Sequence, residues 1–151
     1  MVINTAYPAI VRSSDSVVRA SQSMEDRIET QVSIIYATGE LDGSGNWQDT
    51  DSDGYFDVKV WVKNVGTSRI LGLDQMDVFL GKPGTYARIP YVGDAGGAYP
   101  NWNYTIRNDT EWKGTATLEV AIHYSSALTS DTYLVRVIAP SGSYDEEYFS
   151  F

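Results

Sequence analysis

Tyr55-Phe56-Asp57-Val58-Lys59-Val60-Trp61-Val62-Lys63-Asn64 is a run in which every second side chain is aliphatic or aromatic. Phe56, Val58, Val60 and Val62 fall on one face, and Tyr55, Asp57, Lys59, Trp61 and Lys63 on the other. A period of two marks a strand with one face against a core. Asn64-Val65-Gly66 then supplies turn chemistry. Working outward, QVSIIYAT (31–38) reads as the preceding strand, and LDQMDVFLG (73–81), TYARIPYV (85–92), ATLEVAIHY (116–124) and TYLVRVIAP (132–140) as later ones. YDEEYFSF (144–151) is the last candidate. In ATLEVAIHY the inward set is Leu118, Val120, Ile122 and Tyr124. In TYLVRVIAP both faces are apolar, so either Tyr133, Val135 and Val137 or the opposite set points in. Seven or eight short strands parted by Gly, Pro, Asn and Asp clusters predict an all-β, immunoglobulin-like antiparallel β-sandwich over residues 31–151. The same spacing also permits a β-barrel.

Residues 1–30 follow a different rule. From Ala9 to Thr30 there is neither Gly nor Pro, and Ile10, Val17 and Met24 recur every seven residues. Pro8 stands where a helix can begin, and Arg12, Arg19 and Arg27 mark a wet side. This N-terminal helical segment either lies on its own domain or is the end of a longer helix that starts before residue 1.

The chain of 151 residues is 42% apolar, enough for a core. Its 11 Lys and Arg against 20 Asp and Glu leave a formal charge of −9. Nucleic acid and anionic membrane surfaces call for the opposite sign. With no cysteine, disulfides and thiol catalysis are excluded, and a single histidine, His123, gives no cluster for a transition metal. His123 falls on a strand face opposite the apolar set, a surface position with no catalytic base implied. Among twenty acids no pair stands out for glycoside hydrolysis. The chain is read as not an enzyme. No apolar run reaches the ~20 residues that span a bilayer, and the first ten residues lack the pattern of a signal peptide.

Three groups of residues are site candidates. Asp49-Thr50-Asp51-Ser52-Asp53-Gly54-Tyr55 places oxygen side chains at alternate positions before a glycine. Calcium takes six to eight hard oxygens, so Asp49, Asp51 and Asp53, the Tyr55 carbonyl and Asp57 form a candidate shell. Position twelve is Val60, so the bidentate Glu of an EF-hand is missing. The competing reading is a solvated acidic turn. Asn103-Tyr104-Thr105 and Asn108-Asp109-Thr110 both satisfy N-x-[ST], making Asn103 and Asn108 glycan acceptors if the protein is exported. Trp102 and Tyr104, in what reads as the least regular segment, and Trp61, on the polar face of its strand, are candidates for partner contact.

The order of these pieces is itself informative. DRIETQVSIIYA, an Asp/Gly-rich hairpin, FDVKVWVKNVGTSRI, LDQMDVFLG and a closing DEEYFSF follow one another. The series resembles the archaellin-like accessory proteins of the archaeal flagellum, FlaG and FlaF. Its most specific piece is V-K-N-x-G (Val62, Lys63, Asn64, Gly66) followed by D-V-F-L-G (Asp77 to Gly81), and the likeness runs over roughly residues 20–81. The resemblance implies a non-enzymatic stator component of the archaellum motor, closer to the G type. It implies a pseudoperiplasmic β-sandwich anchored in the membrane by a pilin-like helix. It further implies self-association, a sister accessory protein and an S-layer protein as partners. A filament subunit of archaellin or pilin type, and a calcium-stabilised extracellular adhesion or carbohydrate-binding module, are the alternatives.

Overall fold

The structure, a computed structural model, describes residues 30–41, 44, 48, 49, 52 and 54–150. The helical segment expected over residues 1–30 lies outside them, Thr30 apart. Eight strands follow: β1 (Val32–Gly39), β2 (Phe56–Asn64), β3 (Asp77–Gly81), β4 (Ala87–Ile89), β5 (Asn101–Arg107), β6 (Thr117–Tyr124), β7 (Thr132–Ile138) and β8 (Tyr144–Ser150), with one 3-10 turn at Leu73–Gln75. They form two antiparallel four-stranded sheets, β1-β2-β6-β5 and β4-β3-β7-β8. This is the immunoglobulin arrangement, ABED facing CFG, with one extra strand beside C. A tyrosine corner accompanies it: the Tyr133 hydroxyl, near the start of β7, donates to the Thr129 carbonyl at 2.6 Å.

The alternation read in β2 holds. Phe56, Val58, Val60 and Val62 are buried between the sheets, opposite Leu118, Val120 and Ile122 on β6. Each such side chain contributes about 1.5–3 kcal/mol by leaving water. On β7 the inward set is Tyr133, Val135 and Val137. Two expectations change. TYARIPYV contracts to the three residues of β4, where Pro90 ends the ladder. The segment read as least regular is β5, which pairs with β6 along its whole length. Trp102, Tyr104 and Ile106 alternate there with Asn103, Thr105 and Arg107.

Asn64 gives the V-K-N-x-G stretch a structural role in this chain. It is fully buried at the end of β2. Its Nδ2 donates to the Ser68 and Trp112 carbonyls at 2.8 and 2.9 Å, and its Oδ1 accepts the Gly66 N–H at 2.9 Å. One side chain thus pins two loop segments, the one that leaves β2 and the one between β5 and β6. Gly66 in turn lies so close to Gly114 that a Cβ on Gly114 would meet the Gly66 carbonyl oxygen at 2.7 Å. The motif is a structural joint between the β2 exit and the β5–β6 turn.

Candidate partner-binding surfaces

With the inner faces filled, the outer faces and strand edges are what the domain offers to others. On the outer face of the first sheet, Tyr36 pairs with Trp61 across β1 and β2, ring centroids 5.4 Å apart. The register of β1 shifts between Ile34 and Tyr36. This bulge leaves neighbours Ile35 and Tyr36 both exposed, at 55% and 59%. Trp61, expected at a partner contact, is half-buried beside them. Next to this patch Glu119 is buried beneath two cations, with Lys59 Nζ at 3.6 Å and Arg107 Nε at 2.6 Å.

Further along the same face, Asp57 is fully buried and its Oδ1 lies 2.6 Å from His123 Nδ1. His123 Nε2 lies 3.1 Å from Asn103 Oδ1. Glu40, also buried, accepts the Asp57 N–H through Oε2 at 3.3 Å and donates its own N–H to the Asp57 carbonyl at 2.9 Å. The group beyond Nε2 is an amide, with no hydroxyl or thiol for the ring to activate. His123 therefore ties β2 to β5 across β6, a more interior part than the surface position read from the sequence. Asp57 and His123 stand opposite each other in the β2–β6 pairing, which the sequence alone does not supply.

Trp102 corrects an expectation. Rather than facing a partner it is fully buried, one of the largest side chains of the core. The even positions of β5 turn inward, and an indole at the first of them is enclosed by both sheets. Tyr91 crosses it edge-on at 4.9 Å and also lies 6.2 Å from the Tyr104 ring. Tyr104, the other candidate in that segment, is half-buried at the rim. It lines an open cleft of about 260 Å³ with Leu71, Leu73, Ile106, Trp112 and Glu111. Burial, with Tyr91 and Asp74 nearby, pushes its phenol above the ordinary range.

The edges differ in what they expose. At one corner the β1 edge is closed toward β8, where Asp145 Oδ2 accepts the Ile34 N–H at 2.8 Å. At the opposite corner Pro90 and Val92 bond the backbone of Trp102, a parallel bridge linking the β4 exit to β5. Alternation along β5 then points the N–H and C=O of Tyr104 and Ile106 outward, and no described residue takes them. The outer face of the second sheet carries exposed Tyr144 and Tyr148, with Arg136 bonded to Glu146 at 2.6 Å and 5.0 Å from the Tyr144 ring centroid.

Of the five calcium candidates, Asp51 and Asp53 lie outside the described residues. Asp49 Oδ2 accepts the Gly54 N–H at 2.8 Å, an arrangement that closes the loop. Tyr55 stacks on Tyr99 at 4.4 Å, and Asp57 faces His123 instead of the loop. Among the described residues no three His, Cys, Asp or Glu side chains converge on a metal position. Nor is any described helix long and apolar enough to cross a membrane.

No family model matches the chain, and no curated protein sequence does. Solved structures do. The archaellum periplasmic stator protein FlaG from Sulfolobus acidocaldarius is similar with a TM-score of 0.61 and 24% identity, over 80% of this chain and 99% of that one. The archaellum periplasmic stator protein complex of FlaF and FlaG from the same organism matches with a TM-score of 0.58 and 24% identity, over 80% of this chain and 89% of that one. The likeness is one of fold and takes in nearly the whole of the FlaG domain.

Proposed function

We propose that this domain is a non-enzymatic structural component of the archaellum, a stator part of the FlaG and FlaF kind that works outside the cytoplasmic membrane. The observation that carries the reading is the fold: the same sandwich, matched over almost the full length of a periplasmic stator protein. The residues are consistent with it. The single histidine is spent on a cross-strand tie, while exposed aromatic side chains and an open strand edge are set toward other proteins. A sister accessory protein is the first partner of this proposal, because one of the similar structures is itself a complex of two such proteins. Self-association, contact with an S-layer protein and anchoring through a preceding helix complete it.

The edge of β5 is the surface we assign to the sister protein. A strand laid along it would take the outward backbone groups of Tyr104 and Ile106 and place side chains in the adjoining cleft. Ile106→Pro removes one outward N–H without touching a ladder bond to β6, and edge strands accept proline. Native mass spectrometry of the domain mixed with the purified sister domain should show a complex that this variant loses while keeping its fold. Absence of any complex, across salt and protein concentration, would sink the stator reading. Recovery of the protein in sheared filaments, and not in the cell envelope, would favour the filament-subunit alternative.

A further inference from the structure

The two N-x-[ST] triplets are alike in sequence and unlike in place. Asn103 lies in the middle of β5, paired with Ala121 of β6, and its amide faces His123 Nε2 at 3.1 Å. An amide can present either its oxygen or its nitrogen there, depending on the ring's protonation, so in both orientations the group is tied to the Asp57–His123 chain. Asn108 lies in the turn after β5, with its neighbours Asp109 and Thr110 also exposed. Its backbone is left-handed, φ 55°, a conformation asparagine tolerates better than most residues. Its Oδ1 accepts the Thr117 N–H at 3.2 Å, which orients the amide, and among the described residues its Nδ2 has no partner.

From this contrast we propose that Asn108 is an N-linked glycan acceptor and that Asn103 is not: the exposed turn presents Nδ2 to a glycosylating enzyme, whereas Asn103 serves the sheet. The inference rests on the extracytoplasmic placement proposed above. The donor is a lipid-linked oligosaccharide. Asn108 Nδ2 forms a bond to the anomeric carbon of the first sugar, the bond from that carbon to the lipid phosphate breaks, and the lipid phosphate leaves with the electron pair. The amide gives up one proton, which passes to a base of the glycosylating enzyme or to the departing phosphate, and nothing is oxidised or reduced. Thr110, two residues on, completes the triplet such enzymes read. Asn103 is exposed as well, but its triplet is held extended in the β5–β6 ladder, so presenting it to the enzyme would require Asn103 and Thr105 to leave their pairing with Ala121 and Glu119, an opening that only a minor population undergoes.

The test uses the full chain in its native host and in solution. Glycopeptide mass spectrometry of protein from the envelope should find sugar on Asn108, with occupancy at Asn103 lower by at least about tenfold, the population cost of freeing the strand. Thr110→Ala, which leaves the asparagine and its turn in place, should abolish the modification, and Thr105→Ala should not. Protease treatment of intact cells separates the two premises. A protein that is cleaved from outside yet bare at Asn108 overturns the site alone, and one protected in the cytoplasm overturns both. In the second arm, folded unmodified protein is mixed with solubilised membranes and lipid-linked oligosaccharide. Transfer to Asn108 in the folded protein, reaching Asn103 only after denaturation, supports the proposal. Equal transfer to both in the folded state refutes it.

Discussion

Replacing Asn64 by Asp changes one NH2 into an oxygen with hardly any change in shape, and the surroundings turn that into a severe perturbation. In the native protein Nδ2 lies 2.8 and 2.9 Å from the carbonyl oxygens of Ser68 and Trp112, in a site with no exposure. An ionised carboxylate there would set negative oxygens against both carbonyls, so the side chain must bind a proton to fold. Holding an Asp neutral at pH 7, about 3 units above its unfolded value of ~3.9, costs about 4 kcal/mol. The protonated acid offers one donor where the amide offers two, a further ~1 kcal/mol. The total, about 5 kcal/mol, is of the order of the whole stability of a small domain. The sign follows from linkage. The folded-state pKa is raised, so the proton's contribution is fully present below the unfolded value and is lost as pH rises through the folded one. Urea denaturation followed by tryptophan fluorescence, with wild type and variant compared at each pH, should therefore show a gap that narrows to about 2 kcal/mol near pH 4.5. A gap below about 1.5 kcal/mol at pH 7, or one that does not narrow in acid, would refute the assignment of Asn64 as a donor to two carbonyls.

Further outcomes are expected elsewhere. His123→Ala should cost about 3–5 kcal/mol, because it strips the buried Asp57 carboxylate of the ring at 2.6 Å. Asp57→Asn in that background should recover part of the loss, and strict additivity of the two changes would count against the tie. Alkaline titration at 295 nm should leave a late fraction from Tyr124 and Tyr104, both raised chiefly by burial, and Tyr124→Phe should shorten it. The stability these phenols contribute is present below pH ~10 and lost above it. If the acidic loop takes calcium, the ion at a hundred times its Kd should add about 2.7 kcal/mol, and Asp49→Asn should remove most of that gain. An unchanged melting curve at millimolar calcium would show an ordinary acidic turn. Tyr36→Ala with Trp61→Ala should leave folding nearly unchanged while weakening self-association in sedimentation runs. A large loss of stability would mean that this pair serves the sheet alone.

How much of this was legible depends on which physical signal a segment carries. β2 could be read to the residue because valine alternates with charged side chains. β7 could not, because Leu134 is buried on the outer face and erases the alternation. β5 was missed although its alternation is present. Asparagines on the wet face, with one sequon inside NWNYTIR and another just after it, give the segment the composition of a loop and hide the fact that Trp102 fills the core. The bulge in β1 left only an ambiguous trace: Ile34, Ile35 and Tyr36 are three apolar residues in a row, but so are Tyr133, Leu134 and Val135 of the regular strand β7. What the sequence could not carry was pairing. The Asp57–His123–Asn103 chain joins residues 66 and 20 positions apart, and only the order β2-β6-β5 brings them side by side.

That same strand order bears on how the domain meets a partner. An immunoglobulin sandwich has four edge strands, and here three are poorly suited to strand addition. β1 is bulged and capped by Asp145, β4 has three residues, and β8 carries consecutive Asp145, Glu146 and Glu147. β5 keeps Tyr104 and Ile106 open beside an apolar cleft. Its first turnward neighbour is Asn108, so a glycan there would stand at the end of the open edge, while one on Asn103 would rise from the middle of the strand. Pro90 and Val92 already occupy the Trp102 end, so sugar at Asn108 leaves room for a short strand that keeps to Tyr104 and Ile106 and stops short of Arg107. The two proposals thus constrain each other: a partner that buries Asp109 and Thr110 on binding would be blocked in glycosylated protein and bind only the Thr110→Ala variant. Equal affinity for both forms is expected if the partner strand keeps to Tyr104 and Ile106.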